Sequence, residues 1–200
     1  MTVRLPRWTP GQRIGLMGGS FNPPHDGHLL ASRVALQRLK LDRLWWLVTP
    51  GNPLKPIEGL PALSQRIEAA RAIVHDPRIA VTGFEAEIGA RYTHDSIAWL
   101  IRRAPNVHFV WIMGADNLRQ FHLWRRWRDI ARLAPIAVVD RPGSTLRALS
   151  SHAGAALAPF RVAEKDAASF AARRAPAFIF LHGPRSSLSS SAIRQVEPTP

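Results

Sequence analysis

The sequence predicts an α/β fold, a mainly parallel sheet flanked by helices in a three-layer arrangement. Three observations carry this. Short apolar runs of strand length alternate with segments of helical periodicity, the pattern of βαβ units. The runs are bounded by Gly, Pro and polar turn residues. The segments that look chemically active fall just after strands, where open parallel sheets bind their ligands.

Arg13-Ile14-Gly15-Leu16-Met17 is a short apolar run ended by glycines and reads as a buried strand. Gly27 to Leu39 carries apolar residues at 29, 30, 34, 36 and 39, which suits a helix. Leu44 to Thr49 is the second strand, stopped by Pro50-Gly51-Asn52-Pro53. A helix follows from Leu63 to Val74, then a strand at Ile79 to Thr82. Asp95 or Thr93 is placed to cap a helix running through Leu100 and Ile101. The remaining strands are expected at Val107–Met113, Ile136–Val139 and Ala177–Leu181. One domain spanning 1–200 is expected, with 1–11 and 196–200 as loose termini and 144–176 as a variable helical insertion.

Composition narrows the class. Apolar residues are 46% of the 200, which excludes a disordered chain. No apolar run approaches the ~20 residues that span a bilayer. Met1 to Arg13 has no apolar stretch of the signal-peptide kind, so a cytoplasmic protein with no membrane partner is expected. Cysteine is absent, which removes thiolate chemistry and Cys-based zinc sites. Lys plus Arg is 27 against 14 Asp plus Glu, a net charge of +13. Such a surface attracts polyanions, either nucleic acid or a small phosphorylated ligand. The charge is spread along the chain and forms no block that would mark a nucleic-acid tail. An Arg-rich composition without functional meaning would give the same number.

Gly18-Gly19-Ser20-Phe21-Asn22 follows the first strand directly. Glycines there let backbone N–H groups approach a phosphate. Neither the dinucleotide pattern nor the Walker pattern is present. Pro23-Pro24 stiffens the loop, and His25-x-Gly27-His28 leads into a helix, placing both histidines at a helix N-terminus that favours anions. Metal ligation by the pair lacks a third ligand of matching spacing, so no metal-ligating residues are assigned. A plain helix cap is the other reading of either histidine.

Gly19-Ser20-Phe21-Asn22-Pro23-x-His25-x-Gly27-His28 resembles the signature of the HxGH nucleotidyltransferase superfamily. That resemblance implies a Rossmann-like fold that uses ATP or CTP with Mg²⁺. Arg91-Tyr92-Thr93-His94-Asp95, Gly114-Ala115-Asp116-Asn117-Leu118 with Trp124, Arg141-Pro142-Gly143, and Leu188-Ser189-Ser190-Ser191-Ala192-Ile193-Arg194 are similar to elements of the bacterial nicotinate-nucleotide adenylyltransferase family. Departures are Ser20 and Asn22, where that family usually has Thr and Asp, and a shorter loop at 50–56 in which Lys55 matches a basic residue but Leu54 stands for its usual His.

The resemblance implies adenylyl transfer from ATP to nicotinate mononucleotide, a step of NAD biosynthesis. Catalytic roles fall on His25, His28, Lys55 and Arg194. ATP binding falls on Gly18, Gly19, Ser20, Phe21, Asn22, His25, Gly27, His28, Gly114, Asp116, Ser190, Ser191 and Arg194. Acceptor binding falls on Ser20, Tyr92, Thr93, Trp124 and Arg141. From the residues alone, Trp124 at a strand end can stack on a flat ring. Asp116 can accept from a ribose hydroxyl, sit near hydrated Mg²⁺, or cap a helix. Alternative readings are transfer of an adenylyl or cytidylyl group to another phosphorylated acceptor such as phosphopantetheine, and a basic nucleic-acid-binding protein. The favoured reading has ATP and nicotinate mononucleotide as partners and no nucleic acid; monomer and homo-oligomer both remain open.

Overall fold

The computed structural model describes residues 4–51, 59–140 and 145–183. Six strands form one sheet in the order β3-β2-β1-β4-β5-β6, with every pairing parallel. The strands are β1 (Arg13–Gly19), β2 (Arg43–Val48), β3 (Ile79–Thr82), β4 (His108–Gly114), β5 (Ile136–Val139) and β6 (Phe178–Leu181). The helices are α1 (Asp26–Arg38), α2 (Leu63–Ile73), α3 (Phe84–Glu87), α4 (Thr93–Arg103), α5 (Ala115–Gln120), α6 (Trp127–Leu133), α7 (Thr145–Leu149) and α8 (His152–Leu157). This is the helix-flanked parallel sheet the alternation predicts, in the Rossmann-like form the resemblance implies.

Both sheet faces are covered, so each strand splits its apolar residues between two cores. Ile14, Leu16, Trp45, Leu47, Phe109, Trp111, Met113, Ile136 and Val138 pack with α4 to α8. Met17, Leu44, Trp46, Val48, Val110, Ile112 and Ala137 pack with α1 and α2 on the other face. The period of two within nearly continuous apolar runs follows from this double burial.

Several expectations are corrected. Gly18 and Gly19 are the last residues of β1, paired with Leu47 and Val48, and do not begin the loop. The residue that caps α4 is Tyr92, whose side chain makes no capping bond; neither Asp95 nor Thr93 fills that place. The short helix α3 carries no helical period over its four residues and escaped the pattern. The stretch 4–11 is not a loose end: Arg4 N–H donates to Glu87 at 2.9 Å, Gly11 N–H donates to the Asn106 carbonyl, and the Trp8 ring packs edge-on to Trp45. Aromatic burial and backbone bonds anchor it.

The insertion expected over 144–176 is, in its described part, the packed connection between β5 and β6. α7 and α8 bury Ala148, Ala153 and Leu157 against one face. A 3-10 segment, Glu164–Ala172, buries Ala167, Phe170 and Ala171 against the other. The alanines of this connection divide between the two environments: Ala148, Ala153, Ala167 and Ala171 are buried, while Ala155, Ala156, Ala158, Ala163, Ala168 and Ala172 are exposed. Gly154 marks the tightest point: a Cβ there would lie 2.4 Å from the Ala148 carbonyl oxygen and 2.5 Å from that of Leu149. Backbone atoms cannot yield as a side-chain tip can. Gly154→Ala is therefore expected to destabilise the protein by about 1–3 kcal/mol, the usual cost of overpacking. Urea unfolding measures this; an unchanged midpoint would show that the segment is loosely packed.

Candidate active site

The strand order reverses between β1 and β4, so their connections leave in opposite directions and open a crevice at the carboxyl edge. Gly18 sits at that edge because Trp111 of β4 does: a Cβ on Gly18 would lie 2.6 Å from the tip of the fully buried indole. Close approach of two strands accounts for glycine here. Phe21 then turns the chain with φ of 47°, in the left-handed region that non-glycine residues rarely enter. Its ring is 1% exposed and stacks on Trp46 at 4.7 Å. That packing holds the turn.

His25 and His28 are brought together in a reciprocal cap on α1. Gly27 N–H donates to His25 Nδ1 at 3.1 Å, and His25 N–H donates to His28 Nδ1 at 3.2 Å. The two rings lie 3.9 Å apart, and His28 also contacts Phe21 at 4.8 Å. Below them, Trp46 Nε1–H donates to Ser32 Oγ, whose hydroxyl donates to the His28 carbonyl, both at 2.8 Å. A ring nitrogen that accepts an N–H bond carries no proton, so the network assigns both neutral rings the Nε2–H tautomer. The pair caps α1, one of the two readings the sequence allowed, and each ring carries its proton on the nitrogen not used in the cap.

The second cluster gathers around α4 and the loop after α5. Tyr92 precedes α4, and its ring is flanked by two guanidinium groups, Arg125 Cζ at 4.7 Å and Arg91 Cζ at 5.7 Å. Thr93 is the first residue of α4, where backbone N–H groups lack intrahelical acceptors. Trp124 is half-buried and meets Phe121 and Trp111 edge-to-face at 5.3 and 6.2 Å. Trp111 thus touches the Gly18 edge and the Trp124 loop together. Trp127 is buried in the core. Gly114 caps α5 and Asp116 lies in its first turn, so Asp116 is not the cap that the sequence allowed. Ser20 and Asn22 lie half-buried in the loop after β1. Lys55, Arg141, Ser190, Ser191 and Arg194 lie outside the described residues.

Two charged residues at this edge were not singled out from the sequence. Arg66 of α2 is 3% exposed, and its guanidinium donates to carbonyls of both strand-end loops. Glu85 of α3 is 6% exposed; Ser96 Oγ donates to its Oε1 at 2.6 Å, and Thr49 also bonds to it. Burial pushes the Glu85 carboxyl above the usual carboxylate range, and the Ser96 and Thr49 hydrogen bonds only partly oppose this. For Arg66 the available signal was a charge inside the apolar stripe Leu63, Ile67, Ala70; for Glu85 there was none.

Sheet order and loop geometry define a doubly wound protein of the nucleotide-binding type. A family model described as cytidylyltransferase-like matches residues 16–196. The chain is 62% identical over 182 residues to a protein of Methylorubrum extorquens named probable nicotinate-nucleotide adenylyltransferase, covering 91% of this chain and 98% of that one. It is 54% identical over 184 residues to the protein of that name from Brucella suis, covering 92% and 95%. The chain belongs to the cytidylyltransferase-like family and, within it, to the nicotinate-nucleotide adenylyltransferases. Plasmodium falciparum nicotinic acid mononucleotide adenylyltransferase complexed with NaAD shares the fold, with a TM-score of 0.65 at 16% identity over 92% of this chain and 83% of that one.

Glu85 generates a pH-dependent stability. In the unfolded chain its carboxyl ionises near 4.5; in the folded protein it ionises higher. Its contribution is therefore fully present below 4.5 and is lost as pH rises toward the folded value. Glu85→Gln keeps the shape and carries no charge. The difference in Tm, variant minus wild type, is expected to grow as pH is raised from about 5 to about 8. A difference independent of pH would show that Glu85 titrates as an exposed carboxyl does.

Proposed function

We propose that the chain transfers the adenylyl group of ATP to nicotinate mononucleotide, giving nicotinate adenine dinucleotide and pyrophosphate, a step of NAD biosynthesis. The observation that carries this is the reciprocal His25–His28 cap at the strand-order reversal, in a chain of this family. The acceptor's phosphate oxygen attacks the α-phosphorus in line and the pyrophosphate oxygen leaves. The attacking oxygen is already anionic, so no base is required, and the protein acts by position and charge. The Nε2–H groups of His25 and His28 donate to the phosphates, with the N-terminus of α1 behind them. Gly18, Gly19, Phe21, Asn22, Gly27 and Gly114 shape the ATP side, and Lys55, Ser190, Ser191 and Arg194 complete it.

Mg²⁺ accompanies ATP and neutralises charge on its phosphates. Such an ion keeps most of its waters and takes one or two protein carboxylates. Asp116, in the first turn of α5 beside β4, fits that role. Among the described residues no helix is long and apolar enough to cross a membrane, consistent with action in the cytoplasm.

On the acceptor side, Trp124 packs against the pyridine ring, the Tyr92-Thr93 backbone donates to the nicotinate carboxylate, and Ser20 and Arg141 hold the acceptor's phosphate end. Arg125 and Arg91 add positive potential beside Tyr92. A nicotinamide amide sets its own NH₂ against N–H donors, a mismatch worth roughly 1–3 kcal/mol for each donor left unpaired. Pyrophosphate release is to be measured with ATP and a panel of acceptors: nicotinate mononucleotide, nicotinamide mononucleotide and phosphopantetheine. The expected preference for nicotinate over nicotinamide mononucleotide is on the order of 10²-fold or more in kcat/KM. Comparable values would refute the acceptor reading; faster turnover of phosphopantetheine would refute the function.

A further inference from the structure

Arg66 is a buried cation whose described hydrogen-bond partners are all backbone carbonyls. Its Nη1 donates to Ser20 and to Thr49, each at 2.8 Å, its Nη2 to Pro50 at 3.2 Å, and its Nε to Pro61 at 3.0 Å. Ser20 lies in the loop after β1, and Thr49 and Pro50 in the loop after β2. A buried charge costs stability unless it is fully hydrogen-bonded. Arg66 is also the fourth residue of α2, at the helix end where a cation opposes the dipole. An apolar residue would serve the core better. What the guanidinium does that an apolar residue cannot is hold two loops in one geometry.

That geometry has a consequence for donors. In a trans peptide the carbonyl and the following N–H point opposite ways. With the Ser20 and Pro50 carbonyls turned toward Arg66, the N–H groups of Phe21 and Gly51 are turned away from it. The Phe21 N–H belongs to the loop that runs into the His25–His28 cap.

We propose that Arg66 is a positioning residue for adenylyl transfer: by clamping the carbonyls of Ser20, Thr49 and Pro50 it fixes the loops after β1 and β2 and aims their N–H groups at the ATP phosphates. The proposal rests on the function given above. Arg66 itself touches no reacting atom.

The test uses the full chain and two variants. Arg66→Lys keeps the charge but loses the planar fork; Arg66→Gln loses both charge and fork. Circular dichroism and thermal melts fix the folded fraction at the assay temperature, and kcat is expressed per folded molecule. For Arg66→Gln, kcat is expected to fall by at least about 10-fold with a raised KM for ATP, while KM for nicotinate mononucleotide moves by less than about threefold. Arg66→Lys should fold and lie between wild type and Arg66→Gln. The proposal is overturned by a folded Arg66→Gln, or a folded Arg66→Lys if the former does not fold, with kcat and KM for ATP like wild type. It is also overturned if all lost activity is explained by unfolded protein. Titration with ATP alone separates this from failure of the function: if wild type turns over no acceptor, the clamp still requires ATP to bind the folded variants at least about 10-fold more weakly, and equal affinity sinks it.

Discussion

How the chain leaves β1 governs the carboxyl edge. β1 is the central strand, paired with β2 on one side and β4 on the other and covered on both faces. Its last residues must turn into α1 without colliding with Trp111, and α1 must begin with its first N–H groups satisfied. His25 and His28 do the latter by exchanging bonds between ring nitrogens and the backbone. Any other capping pair would satisfy the helix. Two histidines do so with Nδ1 of each ring accepting a backbone N–H.

The rest of the edge is tied to this exit by two kinds of contact. Packing on Trp111 joins Gly18 to Trp124, so the end of β1 and the loop after α5 are set against one buried indole. Polar contacts run from Ser20 through Arg66 to Thr49 and on through Glu85 to Ser96. Both Arg66 and Glu85 are costly to bury. Residues that break the ordinary rules of burial concentrate at functional edges, and these two join α2 to the loops after β1 and β2, and α3 to α4.

Strands were legible in the sequence because this sheet is covered on both faces. β3 and β5 have the bounds the apolar runs mark, and β1 extends past its run only by its two terminal glycines. The His25-x-Gly27-His28 segment was legible because its residue types are rare together. Illegible features depended on tertiary contacts. Arg66 shows in the sequence only as a charge inside an apolar stripe; its carbonyl partners are invisible there, because backbone acceptors leave no side-chain signature. Glu85 lies on a helix too short to show a period. The stretch 145–172 reads as small and polar, yet Ala148, Ala153, Ala167 and Ala171 are buried with Leu157 and Phe170 in the two cores.

The central claim is that the cap on α1 sets both histidines in the Nε2–H tautomer. Nitrogen-15 correlation spectra of the imidazole rings at neutral pH report which nitrogen carries the proton. The account predicts that His25 and His28 each show a protonated Nε2 and an unprotonated Nδ1, without averaging between tautomers. A proton on Nδ1 of either ring, or free exchange between the two nitrogens, would contradict it.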